Sequence, residues 1–269
     1  MSLIAGVDLG STYTKFVAID DDGEVVARAT RPTGFNFPRA VEQVTTNALS
    51  EAGYDRGDVG YLALTGFGRY AIPDRDIAIT ELTSHAYAIH TLLPEVRTVL
   101  DAGGQTTKAI KVDPSGRVRS FRLNDKCAAG AGAFLEKTLR YMGLDTEHLS
   151  LLADTATDPV TVSSVCAVFA ESEVINHLTE GRSVEDVSAG AVIALAGRAA
   201  QLVKRVQAEP PCALTGGLTK VSLMPEELER ILGFDFMIPD DDLGIYAGAL
   251  GAALLGRQRQ KKQAMAVTA

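Results

Sequence analysis

The stretch that decides the fold is residues 4–20, IAGVDLGSTYTKFVAID, where an apolar strand ends in an aspartate and a glycine turn leads into a second apolar strand. Residues 99–113, VLDAGGQTTKAIKVD, repeat that order of strand, aspartate, glycine turn, lysine and strand. The two copies lie too far apart for the short units of a solenoid, whereas a duplicated α/β domain has this spacing. The sequence therefore predicts two lobes, each opening with a strand hairpin.

Hydrophobic periodicity and glycine punctuation place other elements along the chain. Strands are predicted at Leu3–Leu9, Tyr13–Asp20, Glu24–Thr30, Val59–Thr65 and Cys212–Thr215, and helices near residues 38–52, 81–93, 133–140, 184–207, 225–233 and 244–255. We assign residues 1–95 to a first lobe and residues 96–256 to a second. Residues 257–269 are polar and then small, which predicts a disordered tail.

Composition and charge limit the classes of function. The chain has 269 residues, 46% of them hydrophobic, which suffices for a sizeable core. Its net charge of −8 argues against a nucleic-acid partner and against an anionic membrane. No apolar run reaches the roughly 18 residues that a membrane span requires, and no signal peptide is visible. Three cysteines do not form a secreted disulfide framework, so we expect a cytoplasmic protein.

The two glycine turns have the composition of a phosphate clamp. Glycine lets backbone N–H groups approach phosphate oxygens, and hydroxyl and lysine side chains add donors and charge. The predicted phosphate and nucleotide contacts are Gly10, Ser11, Thr12, Lys15, Gly103, Gly104, Gln105, Gly216 and Gly217. Asp8 and Asp101, at the strand ends, suit a hydrated Mg²⁺ ion, and Gln105 can orient an attacking water. The alternative is an ordinary pair of tight hairpins; the matching second copy and the third glycine pair favour nucleotide binding.

Two cysteines precede predicted helices. Cys127 lies in NDKCAAGAG, residues 124–132, and Cys166 lies in SSVCAVFAESE, residues 163–173. A helix N-terminus favours thiolate over thiol, and thiolates bind metals. Two are too few for a four-thiolate site, so a second copy of the chain is the simplest way to complete one. Zinc is an alternative metal, although the Cys-x₂-Cys spacing usual for structural zinc is missing.

The other cysteine and the helical histidines have simpler interpretations. Cys212 falls in a predicted strand and is expected in the core. His85 and His90, five residues apart on one predicted helix, do not share a face for a metal ion. We expect each of them to be packed or solvated.

Several motifs together resemble a known family. They are TGFGR (residues 65–69), TELTSHA (80–86), DAGGQ (101–105), LTGG (214–217) and AGALGAA (247–253). The hairpins and the glycine-rich motifs resemble the actin/Hsp70/sugar-kinase superfamily of ATPases. The two cysteine segments are similar to those of the activators (component A) of 2-hydroxyacyl-CoA dehydratases and of the ATPase subunits of benzoyl-CoA reductase. The similarity extends from about Ile4 to Leu255.

This resemblance implies a duplicated actin/Hsp70-like (ribonuclease H-like) α/β fold, with a nucleotide cleft between two lobes. It implies ATP/ADP and Mg²⁺ as ligands, with Asp8, Asp101 and Gln105 as catalytic residues. It also implies a 4Fe–4S cluster shared between two subunits, with Cys127 and Cys166 as the ligands from each chain. The second subunit is a copy of this chain or a homologous ATPase chain.

In the family, ATP hydrolysis changes the angle between the subunits and drives one low-potential electron to a radical enzyme that reduces a CoA thioester. The resemblance implies that partner, a ferredoxin or flavodoxin as electron donor, and a place in anaerobic metabolism.

Two positions depart from the family pattern, and two other functions stay open. Ser84 stands where many relatives carry cysteine, and Thr106 stands where many carry aspartate, which bears on the water and Mg²⁺ arrangement near Gln105. One alternative is a small-molecule kinase of the same superfamily, although the compact chain offers no evident substrate insert. The other is a nucleotide-sensing adaptor that catalyses no reaction.

Overall fold

The computed structural model describes residues 2–124, 130–163 and 167–268, which fall into two compact units. Unit 1 comprises Met1–Pro94, Pro114–Val118 and Asp240–Ala269, and unit 2 comprises Glu95–Asp113 and Arg119–Pro239. The predicted lobes, residues 1–95 and 96–256, differ from these units at the C-terminal side. The segment from residue 240 onward packs with unit 1, because its apolar helix covers the unit 1 sheet.

Unit 1 contains a five-stranded sheet in the order β3-β2-β1-β4-β5. Its strands are β1 (Leu3–Leu9), β2 (Tyr13–Ile19), β3 (Val25–Pro32), β4 (Val59–Thr65) and β5 (Ile77–Ala78). Strands β1, β2 and β3 form an antiparallel meander, whereas β4 pairs parallel to β1 and β5 parallel to β4. Every residue of β1 is buried, as expected of a central strand with both faces covered.

Helices α1 (Phe37–Glu51) and α8 (Leu243–Thr268) cover this sheet, and α2 (Glu81–Leu92) packs on α8. Helix α1 packs its apolar side against alternate residues of β1, including Leu3 and Val7. Helix α8 contacts β1, β2, β4 and α2. A Cβ atom on Gly6 would lie 2.0 Å from the Ala249 carbonyl oxygen, so β1 requires a glycine where α8 crosses it. Successive strand residues point to opposite faces, so α1 and α8 cover different sides of the sheet.

The predicted disordered tail is wrong for residues 257–268, which continue α8. Arginine, glutamine, lysine and alanine in this segment are strong helix formers, and no glycine or proline interrupts them. Two side chains also anchor it: Arg257 donates to the Asp21 carbonyl, and Gln258 donates to the Tyr87 hydroxyl. Polarity alone was therefore a poor indicator of disorder here.

Unit 2 contains a second five-stranded sheet, in the order β10-β9-β6-β7-β8. Its strands are β6 (Thr98–Ala102), β7 (Thr107–Val112), β8 (Val118–Asn124), β9 (Cys212–Thr215) and β10 (Phe236–Met237). Strand β6 pairs antiparallel to β7 and parallel to β9. The order and the direction of these pairings repeat those of β1, β2 and β4, so the duplication predicted from sequence is confirmed in the fold.

The helices of unit 2 surround a long central one. They are α3 (Gly132–Tyr141), α4 (Leu149–Thr155), α5 (Ala167–Thr179), α6 (Val184–Arg205) and α7 (Leu223–Leu232). Helix α4 and the strands β5, β8 and β10 were not predicted. By length and composition α6 could cross a membrane, but 72% of its most apolar stretch is buried in the protein. That burial is typical of the core helix of a globular unit.

Candidate functional site

The first hairpin brings a carboxylate and an ammonium group together at the end of β1. Asp8 and Lys15 are cross-strand partners in the β1–β2 register, and Lys15 Nζ lies 3.1 Å from Asp8 Oδ2. Asp8 is buried, with only 7% of its surface exposed. Lysine at this position thus balances a carboxylate charge that burial would otherwise make unfavourable. Both residues were predicted, but their direct contact was not.

The second hairpin has the same pair in the same register. Asp101 and Lys108 are cross-strand partners in the β6–β7 pairing, and Lys108 Nζ lies 2.7 Å from Asp101 Oδ2. Both side chains are more deeply buried than those of the first pair. Lys108 was absent from the predicted site residues, although aligning the two sequence copies pairs it with Lys15. The repeat itself was the signal that could have identified it.

A threonine stands beside each aspartate on the neighbouring parallel strand. Thr65 of β4 is the register partner of Asp8, and Thr215 of β9 is the register partner of Asp101. Both threonines are completely buried. Sequence analysis missed this equivalence, because it depends on which strands are neighbours in the two sheets.

A glycine follows each of these threonines, and neither glycine can be replaced without strain. Gly66 has φ +91° and Gly216 has φ +93°, a left-handed conformation that favours glycine. A Cβ atom would lie 2.6 Å from Asp8 Oδ1 at Gly66 and 3.0 Å from Asp101 Oδ1 at Gly216. The two glycines therefore let the backbone turn directly against the carboxylates. Gly216 was predicted as a nucleotide contact; its packing against the carboxylate was not.

The threonine beside each carboxylate behaves differently in the two units. The Thr215 hydroxyl donates to Asp101 Oδ1 at 3.3 Å. The Thr65 hydroxyl is buried and has no hydrogen-bond partner in the part of the chain that the structure describes. The same threonine therefore supports its aspartate in unit 2 but not in unit 1.

The glycine turns fit a phosphate ligand. A Cβ atom would lie 2.7 Å from the Tyr13 carbonyl oxygen at Gly10, and 2.8 Å from the Thr106 carbonyl oxygen at Gly103. Each turn therefore requires glycine where its own backbone comes close, and glycine places no side chain over the turn amides. Within the described residues, the buried Thr12 hydroxyl has no partner, as expected of a donor whose acceptor is a ligand.

The second turn is hydrogen-bonded to the end of the Cys127 motif and to the residue that follows it. The amides of Gly132 and Ala133 donate to the carbonyls of Gly103 and Gly104 at 3.0 and 2.7 Å. The Thr107 hydroxyl, at the start of β7, donates to the Gly130 carbonyl at 2.6 Å. These three bonds join the predicted phosphate turn to the start of α3. Sequence analysis did not foresee this connection.

The predicted site residues fall into two sets, one in each unit. Unit 1 brings together the first turn and its strand ends, and unit 2 brings together the second turn and the end of β9. The first set is Asp8, Gly10, Ser11, Thr12 and Lys15; the second is Asp101, Gly103, Gly104, Gln105, Gly216 and Gly217. Ser11 and Gln105 are exposed at the tips of their turns, where a ligand can reach them.

The predicted cluster ligands Cys127 and Cys166 lie outside the described residues. Within the described ranges no group of three or more histidine, cysteine, aspartate or glutamate side chains could hold a metal ion. Cys212 is completely buried in β9, so its predicted core position is confirmed. Burial raises the pKa of the Cys212 thiol to about 11, which disfavours the thiolate form that a metal needs.

The two departures from the family pattern take ordinary structural positions. Ser84 is fully buried in α2, and its hydroxyl has no hydrogen-bond partner among the described residues. The Thr106 carbonyl accepts a hydrogen bond from the Gly103 amide at 3.1 Å and so closes the second turn through its backbone. The prediction that Thr106 alters the arrangement near Gln105 stays a prediction.

Known proteins resemble this chain over nearly its whole length. The solved structure of the activator of the 2-hydroxyisocaproyl-CoA dehydratase from Clostridium difficile, with bound ADPNP, has a TM-score of 0.89 and 36% identity, covering 98% of this chain and 97% of that one. Component A of the (R)-2-hydroxyglutaryl-CoA dehydratase from Acidaminococcus fermentans has a TM-score of 0.88 and 34% identity, covering 96% and 99%. A subunit of benzoyl-CoA reductase from Thauera aromatica is 34% identical over 98% of this chain and 96% of its own length.

These similarities confirm the predicted actin/Hsp70/sugar-kinase type of ATPase fold. The model of one ATPase family matches residues 5–256, almost the whole chain. The chain belongs to the BadF/BadG/BcrA/BcrD ATPase family.

Proposed function

We propose that this ATPase uses ATP hydrolysis to drive a low-potential electron from a 4Fe–4S cluster, shared by two chains, to a radical enzyme that reduces a CoA thioester. The observation that carries the proposal is the hydrogen-bonded link between the second phosphate turn and the segment after Cys127. Relatives named as dehydratase activators and as part of a benzoyl-CoA reductase support the choice of partner.

The first part of the proposal is the binding of Mg²⁺ and ATP by the two hairpins. Asp8 and Asp101 provide carboxylates for a hydrated Mg²⁺, which prefers one or two carboxylates together with phosphate oxygens. Lys15 and Lys108 balance those carboxylates in the structure, and each can turn to a phosphate when the cation takes its place. Gln105, exposed at the tip of its turn, orients the attacking water.

The backbone of each turn holds the phosphates. Gly10, Gly103 and Gly104 present amides without side-chain obstruction, while Ser11 and Thr12 add hydroxyl donors. Gly216 and Gly217 pack against the adenosine.

The second part is the connection between the phosphate turn and the cluster. Cys127 and Cys166 would provide two thiolates from each chain, and the bound cluster would supply one-electron transfer at low potential. A movement of the second turn on loss of the γ-phosphate pulls directly on Gly130 and the start of α3 through the Thr107 hydroxyl and two backbone amides. A short chain of hydrogen bonds of this kind can transmit a small displacement from the turn to the start of α3.

The third part concerns partners and location. We propose a homodimer, or a pair with a homologous ATPase chain, because two cysteines from one chain are half of a four-cysteine site. A ferredoxin or flavodoxin is the proposed donor, and the cytoplasm is the proposed compartment.

The experiment that tests this function is an anaerobic purification with iron and sulfide counting and native mass. The expected result is about four irons for every two chains, lost in Cys127→Ser and in Cys166→Ser. The matched control is Cys212→Ser, at a buried strand cysteine, which should keep its iron. Nucleotide binding should survive all three substitutions.

The opposite result identifies the rival function. An iron-free monomer that binds ATP and phosphorylates a small molecule would refute electron transfer and establish a kinase. An iron-free protein that binds ATP without hydrolysing it, even beside its partner enzyme, would establish a nucleotide-sensing adaptor instead.

A further inference from the structure

The carboxylate of Asp101 accepts a hydrogen bond at each of its two oxygens. Lys108 Nζ donates to Oδ2 at 2.7 Å, and the Thr215 hydroxyl donates to Oδ1 at 3.3 Å. Asp101 is only 3% exposed and Thr215 is completely buried, so both contacts lie in a part of unit 2 where water competes little. Donors on both oxygens restrict the rotation of the carboxylate plane more than one donor does.

The strand that carries Thr215 is fixed beside Asp101. Thr215 of β9 is the register partner of Asp101 on β6, so the backbone pairing of the two strands sets their separation. At the next residue, a Cβ atom on Gly216 would lie 2.4 Å from the Ala102 carbonyl oxygen, which shows how closely the two backbones approach. Because threonine is branched at Cβ, few side-chain rotamers are open to it in a strand. The hydroxyl is therefore in place before any ligand binds.

The first carboxylate lacks this second contact. Among the described residues Asp8 is hydrogen-bonded through one oxygen, with Lys15 Nζ 3.1 Å from Oδ2. Thr65 is the register partner of Asp8 as Thr215 is that of Asp101, but its buried hydroxyl has no hydrogen-bond partner in the described part of the chain. Both units thus place a threonine at this strand position, and unit 2 alone uses it for a hydrogen bond to its aspartate.

Replacement of the ion pair by a cation is where the hydroxyl matters. In the proposed function, Lys108 leaves Asp101 and turns to a phosphate when Mg²⁺ is bound. The hydrogen bond to Oδ2 is then lost, whereas the bond from Thr215 to Oδ1 does not depend on the lysine. A neighbouring residue that orients a metal-binding carboxylate commonly accounts for about 10- to 100-fold in metal affinity or activity.

We propose that Thr215 is a positioning residue for Asp101, holding the carboxylate through Oδ1 when Lys108 leaves Oδ2. The inference rests on the proposed function, in which Asp101 serves the Mg²⁺ and ATP site. Thr215 acts on the carboxylate and takes no direct part in hydrolysis.

The test measures the affinity of the anaerobically purified protein for a non-hydrolysable ATP analogue, once in excess Mg²⁺ and once in EDTA. Thr215→Val removes the hydroxyl and nearly keeps the side-chain shape. In Mg²⁺ its dissociation constant should rise about 10- to 100-fold, and its kcat for ATP hydrolysis should fall. In EDTA the change should stay below about threefold, because the turn backbones bind the phosphates. A residue that only stabilises the fold would not weaken binding in Mg²⁺ alone.

Two variants serve as controls for the hydroxyl. Thr215→Ser keeps a hydroxyl at the same position, and its affinity in Mg²⁺ should stay within about threefold of the wild type. Thr65→Val makes the matched change at the equivalent position of unit 1, where the hydroxyl has no partner among the described residues. Both of its affinities should also stay within about threefold of the wild type, since no hydrogen bond to a carboxylate is removed.

A second variant and a structure keep the proposal testable if Thr215→Val does not fold. Thr215→Ala removes the same hydroxyl with a smaller side chain. In a crystal structure of the wild type with Mg²⁺ and the analogue, the Thr215 hydroxyl should lie within about 3.5 Å of an Asp101 carboxylate oxygen. A greater separation there, wild-type affinity in Mg²⁺ in a folded Thr215→Val or Thr215→Ala variant, or a Thr215→Ser variant as weak as Thr215→Val would overturn the proposal.

Failure of this inference and failure of the proposed function give different results. If the wild-type protein neither binds the analogue nor hydrolyses ATP, the proposed function fails before any variant is compared. If the wild type does both and the Thr215 variants match it, only the role of Thr215 is refuted.

Discussion

The unequal threonines give the sharpest prediction, because the same substitution should have different effects in the two units. Thr215→Val removes a hydroxyl that donates to a buried carboxylate, whereas Thr65→Val removes a buried hydroxyl with no partner among the described residues. Valine has nearly the shape of threonine, so neither change opens a cavity. The difference between the two variants therefore isolates the hydrogen bond.

The magnitude follows from the length of that bond. A hydrogen bond to a charged group contributes about 1.5–3 kcal/mol to stability. The Thr215 bond, at 3.3 Å, is longer than the usual O–H···O range, so we expect a loss near the lower end, about 1.5 kcal/mol. Loss of the unpartnered Thr65 hydroxyl relieves a desolvation penalty, and we expect a gain between zero and about 1 kcal/mol.

Equilibrium unfolding in urea, followed by circular dichroism, measures both effects. Each variant is compared with the wild type in the transition of its own unit, and the slope of each transition must stay unchanged for the midpoints to be converted into free energies. Equal losses in both variants, or a larger loss for Thr65→Val, would refute the assignment of the hydrogen bond to unit 2 alone.

Three further predictions concern stability and reactivity. Gly251→Ala should lower the free energy of unfolding by about 2 kcal/mol, because its Cβ meets a backbone carbonyl of α2. Gly197→Ala, with open space around it, should raise the free energy of unfolding by about 1 kcal/mol in the same urea assay. A Gly251→Ala variant more stable than the wild type would contradict the contact between α8 and α2. Burial raises the pKa of Cys212 to about 11, so mass spectrometry after maleimide treatment at pH 8 should find it modified only in urea, and labelling of the folded protein would show the burial to be wrong. A hydrogen bond from the Asp158 amide lowers the pKa of Asp186, so ionised Asp186 stabilises the folded protein at neutral pH and this stabilisation is lost in acid. The difference in Tm between the wild type and Asp186→Asn should therefore narrow below about pH 4. A difference in Tm that does not change with pH would contradict this.

Local sequence was enough to predict the strands and hairpins that build the candidate site. The predicted strands Leu3–Leu9, Val59–Thr65 and Cys212–Thr215 have the observed bounds, whereas the predicted Tyr13–Asp20 and Glu24–Thr30 are observed as Tyr13–Ile19 and Val25–Pro32. The repeated order of aspartate, glycine turn and lysine is a local pattern, and the hairpin register converts it directly into two ion pairs. Periodicity and turn chemistry act over a few residues, which is the range that such predictions reach.

The contacts that were missed join residues far apart in sequence. Thr65 meets Asp8 only because β4 is the parallel neighbour of β1, and Gly251 lies against Ser84 only because α8 packs on α2. No pattern along the chain records which strands become neighbours. Residues 240–256, which the sequence analysis placed in the second lobe, belong to compact unit 1 through the same kind of long-range packing.

The return of α8 to unit 1 has a consequence for the order in which the protein is made. A ribosome releases the chain from its N-terminus, and folding units tend to form as they emerge. Strand β1 leaves first, but the side of its sheet that α8 covers stays exposed until residues beyond 240 have been synthesised. Unit 2 ends at Pro239 and is complete before then. Unit 1 is thus completed after unit 2, although its first strand precedes unit 2 in the sequence, and one side of its sheet stays uncovered in the interval.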